Sequence, residues 1–285
     1  MNKIKKIVKY FRYFKNPLVV LMFKRGFFPK GRKIKILPRL GPAFWVARSG
    51  DNWLLDKVLN GSEVEVSGED FIIQDNIYLR QGTSDTFVYK EIFIDKSYEN
   101  CVAALSKEST VIDLGAHIGM FSIYCAGRCQ QVFAYEAHRK NFDLAKKNIV
   151  NLNISNVSLF NLAVWSKSDE IVYLDDTETA QTGEYAINRD GKMEVKTISL
   201  VDIFSFNNIN FCDLLKIDIE GAEYEVLMSA PIDIFQKIKV IFFEYHQDLT
   251  NQKTVVDLEE FLKKIGFKIE KTEFNSLAGL IKAEK

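Results

Sequence analysis

A regular alternation of strand-like and helix-like segments from Ser109 onward constrains the fold more than any other feature. The strand-like runs are TVIDL, QVFAYE, VSLFNLAV, DLLKIDI and KVIFFEYH, and helix-like segments stand between most of them. Such alternation is typical of a mainly parallel sheet with helices on both faces. The last two β-like runs, FKIEKTE and SLAGLIKA, have no helix between them, which predicts an antiparallel edge. The expected fold class is therefore α/β, a doubly wound, mainly parallel seven-stranded sheet.

The segment before this alternation has a different pattern. Short β-like runs, among them KIKIL, EVEVSG and DFIIQDNIYLR, are broken by Gly and Pro, and DTFVYKEIF predicts a helix capped by Ser84 or Asp85. We therefore expect an α+β extension over residues 1–105 and a second domain over residues 106–285. VSLFNLAV is interpreted as one strand, and DEIVYLDD and GKMEVKTISL have β character.

Composition excludes several classes of protein. Lys plus Arg equals Asp plus Glu at 38 each, so the net charge gives no reason to expect a nucleic-acid partner. The four cysteines form no C-x-x-C pair, and there are three histidines without zinc-like spacing. We expect buried free thiols in a reducing cytoplasm and no metal site.

The N-terminus, MNKIKKIVKYFRYFKNPLVVLMFKRGFF, is basic and aromatic. Its longest uncharged apolar run, residues 17–23, is too short to span a bilayer, and no signal-peptide cleavage site follows it. Two interpretations are open. The segment is either a helix that packs on the catalytic domain or a peripheral contact with the anionic inner face of a membrane.

The first strand of the alternating region ends in the string VIDLGAHIG. Gly115 permits a sharp turn and a close approach of the backbone to a ligand, and Gly119 lets the next helix approach the sheet. Amide groups at a helix start favour an anionic group. The pattern alone is also met in any tight strand-to-helix turn.

Acidic residues follow two other strands. Glu136 closes the second strand, 23 residues after Asp113, near the spacing at which an acidic side chain meets ribose hydroxyls. An exposed strand-end glutamate is the alternative. Asp218 and Glu220 follow the fourth strand, where they are predicted to share one side of an extended segment and to form part of the active-site floor. A structural ion pair with Lys216 is the alternative there.

From about Ser109 to Asp248 the chain resembles the FkbM family of S-adenosylmethionine-dependent methyltransferases. The resemblance rests on VIDLGAHIG, YEAHRKNF, NLAVWSKSDEI, TISLVDIF, LKIDIEGAEYEVL and IFFEYH, in the family's order and spacing, and RQGTSDTFVYKEIF extends it upstream. Two positions depart from the family's pattern. His117 stands where most relatives carry Asn, and Ala137 stands where many carry Pro.

The resemblance implies a cofactor, S-adenosylmethionine, and an acceptor that is a sugar hydroxyl or a related metabolite. It implies that the cofactor-binding residues are Asp113, Gly115, His117, Gly119 and Glu136, with Asn161 and Ala163 at the third strand. General-base catalysis would help a sugar hydroxyl to react, and strand-end candidates are Asp218, Glu220, Glu244 and His246. Arg80, Thr83 and Asp85 are predicted to form a lid or to contact the acceptor. The alternative is a turn in which Gly82 and Ser84 only cap the following helix.

Two other functions fit parts of the pattern. An NAD-dependent nucleotide-sugar oxidoreductase or epimerase would share the first turn and its acidic partner, but it would normally carry G-x-G-x-x-G. A catalytically silent binding module would keep the fold alone, and His117 is the one feature in its favour.

Overall fold

The structure, a computed structural model, describes residues 3–28, 33–46, 52–68, 70–174, 193–246, 254–273 and 278–285. The chain forms two compact units, Met1–Lys96 and, after it, Ser97–Ala180 with Glu184–Lys285. Tyr98 packs in the second unit, and the domain boundary predicted between residues 105 and 106 stays a prediction. The ring centroid of Tyr98 lies 5.2 Å from that of Phe121 and 5.3 Å from that of Phe242.

The first unit contains short strands, as predicted, together with more helix than the sequence indicated. The elements are α1 (Lys3–Tyr13), α2 (Pro17–Lys24), β1 (Ile34–Ile36), β2 (Phe44–Val46), α3 (Asn52–Leu59), β3 (Glu65–Ser67), β4 (Phe71–Gln74), β5 (Ile77–Arg80), α4 (Asp85–Tyr89) and a π-helical turn (Lys90–Ile94). The β1–β2 pair and the β3–β4–β5 sheet are both antiparallel. The helix α3 was not predicted.

The second unit contains the predicted alternation of strands and helices. Its elements are α5 (Glu99–Val102), β6 (Thr110–Leu114), α6 (Met120–Ala126), β7 (Gln131–Tyr135), α7 (Arg139–Asn151), β8 (Val157–Phe160), β9 (Ala163–Trp165), β10 (Ile171–Leu174), β11 (Met193–Ser199), α8 (Leu200–Phe206), β12 (Cys212–Ile217), α9 (Glu223–Ser229), α10 (Ile232–Gln236), β13 (Ile238–His246), α11 (Val255–Lys264), β14 (Lys268–Glu273) and β15 (Ala278–Glu284).

Seven strands form the main sheet in the order β14-β15-β13-β12-β6-β7-β8. The strands β8, β7, β6, β12 and β13 are parallel, and β15 is antiparallel to both of its neighbours. This confirms the predicted doubly wound α/β fold with its closing antiparallel hairpin. Strand order reverses between β6 and β12, so this point of the carboxyl edge is where such sheets bind ligands.

The run VSLFNLAV is two strands, so its prediction as one strand was wrong. The chain leaves the main sheet after Phe160, and Asn161 stabilises the turn by donating from Nδ2 to the carbonyl oxygens of Glu136 and Ala137, each at 2.9 Å. Strand β9 then pairs with β11 in a separate sheet of order β10-β11-β9. The two segments with predicted β character supply β10 and β11.

Alternate residues of the main sheet have different surroundings. Ile112, Leu114, Leu215 and Ile217 lie in a large apolar cluster that also contains residues of α8, α9, α10 and α11. The intervening positions include two charged residues, Asp113 and Lys216, which are 0% and 4% exposed. Burying an ionised group is costly unless it is paired, so this pair needs a compensating arrangement.

Two further predictions can be compared with the described residues. All four cysteines are buried and free, as expected. Among the described helices none has the length and apolar character required to cross a bilayer.

Candidate functional site

The loops that follow four parallel strands are joined by backbone hydrogen bonds at the carboxyl edge of the main sheet. The amide of Asp218 donates to the carbonyl of Leu114 at 3.0 Å, and the amide of Gly115 donates to the carbonyl of Tyr135 at 2.9 Å. The amide of Glu136 donates to the carbonyl of Phe160 at 3.0 Å. The structure therefore brings Gly115, Glu136, Asn161 and Asp218 together, as their positions after parallel strands predicted.

Gly115 is required by both its conformation and its surroundings. Its φ is +81°, a region that side-chain-bearing residues rarely adopt, and an added Cβ would lie 1.7 Å from the carbonyl oxygen of Asp218. The loops after β6 and β12 can touch only because residue 115 has no side chain. This contact fixes the distance between the two central loops of the site.

The turn continues through two more residues with positive φ. His117 has a φ of 52° and Gly119, at the start of α6, has a φ of 86°. His, like Asn, is enriched among residues that adopt the left-handed region, so this conformation is accessible at position 117. A Cβ at Gly119 would lie 3.3 Å from the Cβ of Ala145 on α7, so this glycine permits close helix packing.

Glu136 is a buried carboxylate whose two oxygens both accept backbone hydrogen bonds. Oε2 accepts from the amide of His117 and Oε1 from the amide of His138, each at 2.8 Å, and Asn141 Nδ2 lies 3.5 Å from Oε1. Burial raises the pKa of Glu136 to about 7, although these hydrogen bonds and the positive charge of Lys216 lower it. The carboxylate is therefore attached to the Gly115–His117 turn and titrates near neutral pH.

Lys216 and Asp113 are register partners on β12 and β6, and they face each other. Lys216 Nζ lies 3.3 Å from Asp113 Oδ1 and 3.6 Å from Asp218 Oδ2, and it donates to the carbonyl of Gly115 at 2.9 Å. Burial alone would lower the pKa of Lys216, but the charges of Asp113, Asp218 and Glu136 outweigh it and hold that pKa above its ordinary value. Ser122 Oγ donates to Asp113 Oδ2 at 2.6 Å. The buried charges are thus paired, and the Lys216 ammonium group links the Gly115 carbonyl, Asp113 and Asp218.

The segment after β12 is a tight loop and not an extended chain, which corrects one prediction. β12 ends at Ile217, and Glu220 has a φ of 52°, so Asp218 and Glu220 do not lie on one side of an extended segment. Glu223, 0% exposed, stabilises the loop by accepting from the amides of Ile219 and Gly221 at 3.0–3.2 Å. The Asp218 side chain is 28% exposed at this edge, and Glu220 is partly exposed.

The remaining predicted residues lie in varied surroundings. Asn161 is partly exposed and donates to two carbonyls next to Glu136, while Ala163 is 3% exposed and packs with Val172, Leu174 and Val195. Glu244 and the backbone of His246 lie near the end of β13, and the His246 side chain lies outside the described residues. Their catalytic roles stay predictions.

Arg80, Thr83 and Asp85 belong to the first unit and bind one another. Arg80 contacts both carboxylate oxygens of Asp85 at 2.8 Å, and Asp85 is 0% exposed. Thr83 Oγ1 donates to the carbonyl of Arg80 and accepts from the amide of Asp85, whereas the Ser84 side chain makes no capping bond. Ser84 thus occupies the N-cap position of α4 without the side-chain bond that the capping alternative assumed, and Thr83 and Asp85 hold the turn instead. Contact with an acceptor by the partly exposed Arg80 and Thr83 stays a prediction.

Several residues of the site were missed by sequence reasoning. Ser122, Asn141 and Glu223 hold Asp113, Glu136 and the loop after β12, and Lys216 was considered only as a neighbour of the acidic pair. The sequence did contain a signal for Glu223, because an acidic residue that opens a helix can accept hydrogen bonds from nearby amides. The pairing of Lys216 with Asp113 had none, since the two residues are 103 positions apart. In the described part of the chain, no group of three or more His, Cys, Asp or Glu side chains is placed to hold a metal ion.

Comparison with known proteins gives consistent matches. The model of the methyltransferase FkbM domain matches residues 113–269. Methyltransferase 1 of Beauveria bassiana is 26% identical over 205 residues, which cover 61% of this chain and 80% of that protein. Hexuronic acid methyltransferase AglP of Haloferax volcanii is 24% identical over 169 residues, which cover 59% of this chain and 67% of that protein. The crystal structure of methyltransferase FkbM from Methylobacillus flagellatus aligns with a TM-score of 0.47 at 14% identity, covering 68% of this chain and 47% of that one.

Replacing Gly115 with Ala should disrupt the site. The added methyl group would overlap the Asp218 carbonyl, so we expect the free energy of unfolding to fall by at least about 3 kcal/mol. Gly127→Ala is the matched control, because Gly127 has a φ of −70° and no atom lies within 4 Å of its added Cβ. That control should change stability by less than about 1 kcal/mol, in the stabilising direction. Chemical denaturation measures both, and equal effects would contradict the close contact.

Lys216→Met should leave the Asp113 carboxylate buried without its cation and cost about 3–5 kcal/mol of stability. Because Asp113→Asn removes the charge left behind, the double variant should be more stable than the sum of the single effects predicts, by at least about 1 kcal/mol. The exposed pair Arg139–Asp143, at 3.0 Å, provides the control. There Arg139→Met should cost less than about 1 kcal/mol. Strict additivity at Lys216 and Asp113 would refute their coupling.

Proposed function

The chain belongs to the FkbM methyltransferase family, whose domain model matches residues 113–269, and on that premise we propose that it transfers a methyl group from S-adenosylmethionine to a hydroxyl of a sugar-like acceptor. The observation that carries the proposal is the buried Glu136 carboxylate held on the Gly115–His117 turn. Each of its oxygens accepts one backbone amide; Oε2 keeps capacity for another donor, and Oε1 would exchange its 3.5 Å contact with Asn141 for one. Vicinal ribose hydroxyls supply such donors.

The backbone near Gly115 fits the cofactor as well. Gly115 keeps the loop free of side-chain atoms where it meets the loop after β12, so a ligand can approach the main chain. The amides at the start of α6 favour an anionic group such as a carboxylate. Asn161 fixes the backbone next to Glu136, where it would border the adenosyl group.

S-Adenosylmethionine supplies an electrophilic methyl carbon on a sulfonium when it is bound. The chain's own contribution is to position both reactants and to accept the proton of the acceptor hydroxyl. Asp218 is the candidate base, because its carboxylate is partly exposed at the carboxyl edge and its backbone is fixed by the Leu114 carbonyl. Lys216 orients it from the buried side at 3.6 Å.

The sugar-like acceptor is supported by one relative. AglP of Haloferax volcanii, which matches this chain at 24% identity, is named a hexuronic acid methyltransferase. A hexuronic acid carries both a carboxylate and hydroxyls, and of the two only a hydroxyl gives a general base a role. We therefore propose glycan or hexuronic-acid hydroxyls as the first acceptors to test.

Cofactor binding should depend on pH through Glu136. Ionised Glu136 accepts two hydroxyl hydrogens, and because its pKa is about 7, protonation removes this capacity as pH falls. The affinity for S-adenosylhomocysteine should therefore be constant above pH 8 and fall, by up to about tenfold per unit, below pH 7. Glu136→Gln should bind more weakly at pH 8 and lose this dependence, whereas the exposed control Glu108→Gln should behave as wild type. Calorimetry against S-adenosylhomocysteine and NAD tests this, and binding of NAD alone would overturn the methyltransferase proposal.

Transfer of a labelled methyl group to hexuronic-acid glycans tests the reaction itself. Asp218→Asn should lower kcat by about 10²–10⁴-fold, the usual contribution of a general base. Its affinity for S-adenosylhomocysteine should stay within about threefold of wild type, since the change leaves Glu136 in place. Wild-type kcat in Asp218→Asn would refute Asp218 as base. Tight cofactor binding without transfer to any glycan fraction would favour a silent binding module.

A further inference from the structure

The charge of the chain is distributed unequally. The first 50 residues contain 14 Lys and Arg and no Asp or Glu, so all 38 acidic residues lie in the 235 residues that follow. The equal totals of basic and acidic residues conceal this segregation. A strongly basic segment next to an acidic remainder indicates a polyanionic partner, either a nucleic acid or a membrane surface.

The helices of this basic segment expose apolar side chains. On α1, Ile7 is 39% exposed, Val8 59% and Phe11 47%. On α2, Leu18 and Met22, one helical turn apart, are 63% and 45% exposed, and Phe27 just beyond the helix is 67% exposed. Single exposed apolar residues are common on soluble proteins, but six within 21 positions on two contacting helices are not scattered.

The same helices have a separate buried face, so the exposed residues are not part of an incomplete core. Phe14, Val20 and Phe23 are 0–3% exposed. The junction between α1 and α2 is attached to the segment after β1, where Asn16 Oδ1 accepts from the amide of Leu37 at 3.0 Å. Arg39 Nε donates to the carbonyl of Phe11 at 3.1 Å. Within the first unit, the apolar residues are thus held outward on anchored helices.

Exposed cations accompany these apolar residues. Arg12, Lys15 and Arg25 are exposed on or beside the two helices, whereas Lys24 is paired with Asp56. A basic helical surface that also presents Phe, Leu and Met suits the boundary between lipid headgroups and acyl chains. A nucleic acid would also bind the cations, but it would offer Leu18 and Met22 no apolar environment.

We propose that α1, α2 and Phe27 form a docking surface for an anionic lipid bilayer, which they contact peripherally. The apolar side chains enter the headgroup boundary, and the arginine and lysine side chains bind the anionic headgroups. The contact is independent of the proposed methyl transfer.

Co-sedimentation of the full-length protein with vesicles tests this proposal. Binding should be strong to vesicles of phosphatidylcholine with 30% phosphatidylglycerol, weak to phosphatidylcholine alone, and reduced at 0.5 M salt, where screening is strong. Arg12→Glu with Lys15→Glu should weaken binding by at least about 25-fold, because loss of each cation accounts for about fivefold and the new carboxylates are repelled as well. Leu18→Ser with Met22→Ser should weaken it by at least about tenfold without changing its salt dependence.

The matched control reverses two exposed lysines of the second unit, Lys146→Glu with Lys167→Glu, which alters net charge equally. It should bind vesicles as wild type does, and circular dichroism checks that every variant is folded. If the control variant loses vesicle binding to the same extent, net charge alone accounts for the loss and the proposal is overturned. Equal binding to neutral vesicles, preference for a homopolymeric RNA over vesicles, or self-association that abolishes vesicle binding would each overturn it as well.

Discussion

The contact between Gly115 and the carbonyl of Asp218 is the constraint on which the site depends. β6 and β12 are neighbours in the sheet because strand order reverses between them, although 97 residues lie between the end of β6 and the start of β12. Their two loops leave the sheet at the same edge, and only a residue without a side chain lets them touch. Lys216 then donates to the carbonyl of Gly115 and faces both Asp113 and Asp218. Backbone contact and buried charge therefore fix the same geometry.

The Glu136 carboxylate near this contact is buried at a cost in stability at neutral pH. The raised pKa of Glu136 means that the folded chain holds a proton which the unfolded chain releases between about pH 4.5 and 7. Stability from this group is therefore fully present below that window and is lost as pH rises through it. At neutral pH the ionised carboxylate is costly to keep buried, and the two backbone amides offset only part of the cost. Carboxylates with pKa values perturbed in this way are found most often at functional sites.

The sequence predicted what depends on local pattern. The alternation from Ser109, the closing hairpin and the place of Glu136 at the second strand end all follow from periodicity and spacing. It failed where a distant contact decides the local structure. VSLFNLAV divides because Asn161 binds carbonyls after the neighbouring strand, and the loop at Glu220 curls because Glu223 folds back onto its amides. The pairing of Lys216 with Asp113 depends on strand order and register, which no local pattern records.

The N-terminal segment shows why totals mislead where distribution matters. A net charge of zero argues against a polyanionic partner only if the charges are mixed, and here the first 50 residues hold no acidic residue. An anionic surface attracts that segment and repels the remaining 235 residues, in which 38 acidic residues outnumber 24 basic ones. Charge alone therefore confines such a contact to the first 50 residues. The exposed Phe11, Leu18 and Met22 add what charge lacks, since burial of apolar area is insensitive to the salt that screens the cations.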